Sequence, residues 1–272
     1  LFYNIFCFFH RGYYNKNMNI NQVFTILESA GGVRAARIIT EKHKNMSFWR
    51  VVWYAHLLRR GVPVAKIIHS KWFYGLEFYT NRHTLDPRPD TETLVETIIK
   101  DCCDNTTRKI LDLGTGTACI ICALCKNIPN TTGVAIDKSR AALHVAKKNV
   151  KKLNLKNQIK LQHDDFSNFK SREKFDIIVS NPPYIKHGDT RVNDGAKFDP
   201  KIALYAKNDG LGAYEEIAKN SIRLLKPNGK IYLEIGAGQS SQVIKIFEYF
   251  GWHFERVEKD LSGINRVLVF TI

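Results

Sequence analysis

Ile110-Leu111-Asp112-Leu113-Gly114-Thr115-Gly116-Thr117-Ala118 runs from a short apolar strand into a glycine-rich turn, and the cysteine-containing segment after it reads as a helix. Gly114 and Gly116 permit a tight turn and a close backbone approach to a ligand. A Gly-x-Gly alone is weak evidence, because many nucleotide-binding folds share it and some such turns bind nothing. Its context is what decides the fold.

Downstream, strands and helices alternate. Val134-Ala135-Ile136-Asp137 is a second strand, followed by a helix over residues 139–153. Ile159-Lys160-Leu161 and Phe175-Asp176-Ile177-Ile178-Val179 are the next strands. A helix over 212–225 leads through the turn Pro227-Asn228-Gly229 into Ile231-Tyr232-Leu233-Glu234-Ile235. A helix over 239–250 precedes two closing strands, 252–259 and 266–271. The pattern predicts an α/β domain with a mainly parallel sheet and an antiparallel hairpin on one edge. Upstream, residues 20–70 read as helical, with Val23, Ile26 and Leu27, then Val33, Ala36 and Ile39, then Trp49, Val52 and Trp53 at helical spacing. Aromatic pairs flank Gly75, as in a hairpin, and the two prolines of Asp86-Pro87-Arg88-Pro89 exclude a helix interior.

The glycine turn gains meaning from two strand ends. Asp137 closes the second strand at about the twenty-residue distance where a carboxylate meets ribose hydroxyls in dinucleotide folds. Its plainer alternative is a charge at the start of the next helix. His163-Asp164-Asp165-Phe166 closes the third strand, and ligands of open sheets lie beyond the strands' carboxyl ends. A dinucleotide is disfavoured, since Cys119 stands where its fingerprint needs a third glycine. A phosphate-free ligand such as S-adenosylmethionine remains.

Asn181-Pro182-Pro183-Tyr184 directly follows the fourth strand and is the strongest chemical signal. Consecutive prolines fix the backbone. They would hold the Asn181 side chain and the Pro182 carbonyl as rigid acceptors for the two N–H groups of a planar –NH2, with Tyr184 packed on the planar group. Such a nitrogen is a poor nucleophile because its lone pair is delocalised. Alignment with an activated methyl and stabilisation of the charge developing on nitrogen are what it needs.

Bulk properties bound the rest. The 272 residues carry 41 Lys and Arg against 26 Asp and Glu, a formal charge of +15. That balance points to a polyanionic partner such as RNA, or to a solvated basic surface. Six cysteines make no disulfide framework at this length, and Cys119, Cys122 and Cys125 recur on a helix face rather than as a metal set, so no metal is expected. Reduced thiols fit a cytoplasmic protein. The apolar run in residues 1–9 is too short to span a bilayer, and residues 1–17 are expected to be a non-native or upstream extension.

Taken together, these motifs resemble the HemK/PrmC family, the release-factor glutamine methyltransferases, from about Val62 to the C-terminus. The likeness includes Pro87-Arg88-Pro89-Asp90-Thr91-Glu92, Phe198-Asp199-Pro200 with Ala203-Leu204, Asp209-Gly210-Leu211, Glu234-Ile235-Gly236 with Gln239, and Asp260-Leu261 with Gly263 and Arg266. It departs at Ala118, usually Gly; at Asp165, usually Trp or Leu; at Asp199, usually Glu; and at Asp86, usually apolar. The resemblance implies a seven-stranded class I S-adenosylmethionine-dependent methyltransferase sheet, Rossmann-like, joined by a β-hairpin to a small N-terminal helical domain. The expected organisation is a helical substrate-recognition domain over 18–70, a hairpin linker over 71–90 and a catalytic domain over 91–272. The implied cofactor contacts are Gly114, Thr115, Gly116, Thr117 and Ala118 on the methionine portion, Asp137 on the ribose and Asp165 beside the adenine. Asn181 would touch cofactor and substrate, and Pro182, Pro183 and Tyr184 the substrate. The expected substrate is a glutamine of a peptide chain release factor. A ribosomal-protein glutamine and a nucleic-acid amino group are the alternatives.

Overall fold

The computed structural model describes residues 18–104, 106–189 and 194–272. The expectation for residues 1–17 lies outside them. The described residues divide into two compact units, one ending at His69 and the other running from Ser70 to Ile272.

The first unit is helical. Helix α1 (Ile20–Lys42) is broken at Gly32, whose φ of 82° no other residue type adopts readily. Helices α2 (Phe48–Arg59) and α3 (Val64–Ile68) follow. Val23, Leu27, Ala36 and Ile39 are buried as the spacing predicts, but Val33 is 49% exposed. The break at Gly32 resets the helical phase, so periodicity cannot be carried across it. In α2 two apolar stripes compete, and Val51, Ala55 and Leu58 turn inward while Trp49 and Trp53 face solvent.

The second unit opens with strands β1 (Lys71–Phe73) and β2 (Leu76–Phe78). Tyr74 and Gly75 both have positive φ, the requirement of the two-residue turn whose twist matches a hairpin. Phe73 and Phe78 are buried in the same core cluster as Leu94, Val95 and Ile98 of helix α4 (Pro89–Asp101). The hairpin is thus packed into the α/β unit. Pro89 at the start of α4 sits where its missing N–H costs nothing.

A seven-stranded sheet follows: β3 (Arg108–Leu113), β4 (Thr131–Asp137), β5 (Ile159–His163), β6 (Phe175–Ser180), β9 (Leu225–Glu234), β10 (His253–Lys259) and β11 (Asn265–Thr271). The short strands β7 (Ile185–Lys186) and β8 (Tyr205–Ala206) pair separately. The order across the main sheet is β10-β11-β9-β6-β3-β4-β5. β10 and β11 are antiparallel to each other, β11 is antiparallel to β9, and the remaining pairs are parallel. The turn expected at residues 227–229 is instead an irregularity inside β9, where Asn228 takes a φ of 62° and the register against β6 slips.

Helices α5 (Cys119–Asn127) and α6 (Arg140–Lys152) contribute to one core cluster, and α7 (Gly212–Ser221) and α8 (Ser240–Tyr249) to the other. Alternate residues of β3 feed the two: Ile110 belongs to the first, Leu111 and Leu113 to the second. Because β4 and β6 flank β3 on opposite sides, the chain reverses its direction of travel there, and a crevice opens beyond the carboxyl ends of these strands.

Candidate active site

The crevice is a pocket whose wall includes Gly114, Thr115, Gly116 and Thr117 after β3, Asp137 at the end of β4, Asp164, Asp165 and Phe166 after β5, and Asn181 and Pro183 after β6. Four strand ends therefore deliver their side chains to one place. Residues 83–88, Thr91, Pro200, Ile202 and Ala203 close the wall. The Arg88 guanidinium and the Asp199 carboxylate join these two closing segments at 2.7 Å.

The glycine turn is held from behind. Gly114 and Gly116 have φ of 75° and 55°, and a Cβ added at either would meet nothing within 4 Å. Both therefore present bare backbone to open space, the cradle a ligand needs. Ala118 starts α5 at a φ of 63° and is fully buried, so it supports the turn from outside the pocket wall. That left-handed conformation explains why a glycine suits the position. The Asp112 carboxylate accepts from the Thr115 hydroxyl at 2.6 Å. Burial pushes its carboxyl up to about 7. Asn149 on α6 is fully buried; it donates to Thr117 O and to Tyr79 O at 2.9 Å each and accepts from Tyr79 N at 2.7 Å.

Asp137 stands at the start of the next helix and on the pocket wall. One oxygen accepts from Gly116 N at 2.9 Å and the other from Ser139 N at 2.8 Å. The carboxylate thus ties the glycine turn to the start of α6, and each oxygen keeps a second lone pair for a hydroxyl. Burial raises its carboxyl above the ordinary range, against the pull of those two backbone bonds. Asp165 accepts from Ser167 N at 3.0 Å, which fixes the turn that carries it.

The Asn181-Pro182-Pro183-Tyr184 segment is clamped on several sides. Ser180 Oγ donates to Leu113 O at 2.7 Å, joining β6 to β3. Gln239 Nε2 donates to Tyr184 O at 3.0 Å. A Cβ at Gly210 would lie 2.4 Å from Tyr184 O, so only glycine fits there. Asn181 Nδ2 donates to Thr91 Oγ1 at 3.1 Å. Glu234 is 1% exposed, and burial pushes its carboxyl up to about 7.

Asn181 and Pro183 stand on the pocket wall; Pro182 and Tyr184 do not. Tyr184, expected to pack on the planar group, lies away from that wall. Its ring packs against the second core cluster, and its hydroxyl donates to Glu234 Oε1 at 3.3 Å. Burial is the main reason its phenol is raised well above the usual range. Cys119 also lines the pocket, but burial pushes its thiol up to about 12, so it is no nucleophile near neutral pH. Thr91 and Asn149 went unassigned in the sequence reading. Asn149 had left a trace, as a lone amide on the apolar stripe of Ala142, Val145, Ala146 and Val150.

Residues 83–199 match the family described as "Methyltransferase small domain". A release factor glutamine methyltransferase of Caulobacter vibrioides is 35% identical over 249 residues, which cover 90% of this chain and 86% of that protein. A bifunctional methyltransferase of Rickettsia prowazekii is 38% identical over 254 residues, covering 85% of this chain; the chain spans 49% of that relative's length. In structure, a ribosomal protein L11 methylase from Lactobacillus delbrueckii subsp. bulgaricus superposes with a TM-score of 0.52 at 17% identity, covering 70% of this chain and 81% of that one. That likeness concerns the fold, the class I methyltransferase sheet. Among the described residues no helix is long and apolar enough to cross a membrane.

Proposed function

Since the chain belongs to the release factor glutamine methyltransferase family, we propose that it methylates the side-chain amide nitrogen of the glutamine in the Gly-Gly-Gln motif of peptide chain release factors, with S-adenosylmethionine as methyl donor. The observation that carries the reading is the placement of Asn181 on the same pocket wall as the glycine turn and Asp137.

Gly114, Thr115, Gly116 and Thr117 would hold the methionine portion of the donor, with Ala118 behind them, Asp137 the ribose and Asp165 the adenine. When bound, S-adenosylmethionine supplies a methyl group activated by a positively charged sulfonium, so the amide nitrogen needs no strong base before it attacks. The chain's own task is orientation. Asn181 Oδ1, on the pocket wall, and the carbonyl of the adjoining Pro182, whose ring is not, would accept the two N–H groups of the planar amide and stabilise the positive charge that grows on nitrogen. The prolines and the clamps on Tyr184 keep those acceptors from relaxing away. Tyr184 acts in this scheme by bracing the loop. The helical unit over 18–70 would recognise the protein substrate. The net charge of +15 favours a nucleic-acid target as the second reading, which needs a base extruded from its stack.

The test separates binding from turnover. Asn181→Ala should lower the rate about a hundredfold while calorimetry finds S-adenosylmethionine affinity little changed. Wild-type turnover in that variant would remove Asn181 from the mechanism.

A further inference from the structure

We infer that Asp199 is a positioning residue that cancels the charge of Arg88 and so sets the pocket's preference for a positively charged methyl donor over its neutral, demethylated product. The inference rests on the reading of S-adenosylmethionine as the donor and deepens it. Donor and product differ by one methyl group and one positive charge, both on the sulfur. A pocket that must take up the first and release the second gains from a wall that favours a cation.

Among the described residues, the wall carries four carboxylates, Asp86, Asp137, Asp164 and Asp165, and two cations, Arg88 and Lys138. Lys138 is exposed, where water and salt weaken its reach. Arg88 is held more firmly. It lies between Pro87 and Pro89 in extended backbone, at φ −103° and ψ 143°, the form that a following proline imposes. It also caps the start of α4, the end of a helix that disfavours a cation. Helix stability therefore does not account for an arginine here, and its bare charge would oppose a sulfonium in the same pocket.

Asp199 removes that opposition. Arg88 Nη2 donates to Asp199 Oδ2 at 2.7 Å, and the Asp199 side chain is 2% exposed against 37% for Arg88. Asp199 also precedes a proline, Pro200, and its N–H donates to Ala196 O at 3.0 Å, so its backbone is pinned as well. An exposed pair would count for little. Here the carboxylate is shielded from water, and its charge acts on Arg88 with little screening. Asp199 is not itself on the pocket wall and acts through Arg88. With the pair neutral, the four carboxylates outweigh Lys138, and the field in the pocket suits a cation.

The experiment measures, by calorimetry, the affinities for S-adenosylmethionine and for S-adenosylhomocysteine separately, with thermal melting on each variant. The readout is the ratio of the two affinities, in which losses common to both ligands cancel. Asp199→Asn keeps the shape, leaves Arg88 charged, and should shift the ratio against the donor about three- to tenfold, the effect of one uncompensated unit charge across a partly solvated pocket. Asp199→Glu should keep the wild-type ratio. The double variant Arg88→Gln with Asp199→Asn removes both charges and should return the ratio to within about twofold of wild type, although the ion pair is gone. Arg88→Gln alone, measured at pH 8 where Asp199 is ionised, should shift the ratio toward the donor, and it carries the test if Asp199→Asn does not fold. A wild-type ratio in Asp199→Asn, with both affinities falling together or neither falling, would overturn the inference. So would a double variant displaced as far as Asp199→Asn, the result expected of a pair that only holds the wall in place. If the wild type binds neither ligand, the reading of the donor fails first; if it binds both and the ratio stays fixed across the variants, only the role of Asp199 fails.

Discussion

Replacing Asn149 by leucine should loosen the fold and the cofactor cradle together. The side chain is fully buried and makes three hydrogen bonds, two to the backbone of Tyr79 and one to Thr117 O at the end of the glycine turn. A net ~1 kcal/mol per bond gives about 3 kcal/mol, and buried groups stripped of this partner raise that toward ~5 kcal/mol. Leucine fills the volume, so a cavity contributes little. Urea unfolding should show a lower midpoint at unchanged slope, which marks a loss of stability rather than a change in the exposed surface. Thermal melting should fall by roughly 2–4 °C per kcal/mol. Titration with S-adenosylmethionine should show weaker binding, because Thr117 loses its brace. A stability change below about 0.5 kcal/mol, the range of an inert surface substitution, would refute the claim that this amide holds the turn.

Asp137→Ala should weaken S-adenosylmethionine binding by about 1.5–3 kcal/mol, the cost of losing hydrogen bonds to a charged group; unchanged affinity by calorimetry would remove Asp137 from the ribose. Asp112→Asn should change the pH dependence of stability. The wild-type carboxyl is raised to about 7 in the fold, so its protonated form is the one folding favours: that stability is present at low pH and is lost as pH rises from the ordinary carboxyl range to about 7. At ~1.4 kcal/mol per pH unit, the wild type should lose on the order of 4 kcal/mol relative to the variant between pH ~4 and ~7, then run parallel to it; a difference that stays flat across that window would contradict the buried ionisation.

The alternation of strands and helices and the residues of the pocket were legible because each rests on local chemistry that the sequence spells out. Gly114 and Gly116 need positive φ, the prolines of 181–184 cannot join a helix, and acidic residues lie at the end of β4 and directly after β5. What escaped depends on groups far apart in the chain. Tyr184 reads as a ring for the planar group, and its hydroxyl bond to Glu234, fifty residues on, is not visible in the sequence. Thr91 reads only as part of a motif until Asn181 arrives ninety residues later. In the helical unit, the break at Gly32 and the two competing stripes of α2 left the inward face undecided by periodicity. Packing decided it, and packing is not a local property.

The central claim is the identity of the methylated atom. The direct measurement incubates the protein with methyl-labelled S-adenosylmethionine and, separately, a cognate release factor, the same factor with the Gly-Gly-Gln glutamine changed to alanine, ribosomal RNA and DNA, and maps the label by tandem mass spectrometry. The account predicts one methyl group on the side-chain amide of that glutamine and none on the altered factor or on either nucleic acid. Efficient labelling of nucleic acid with none on the release factor would contradict it.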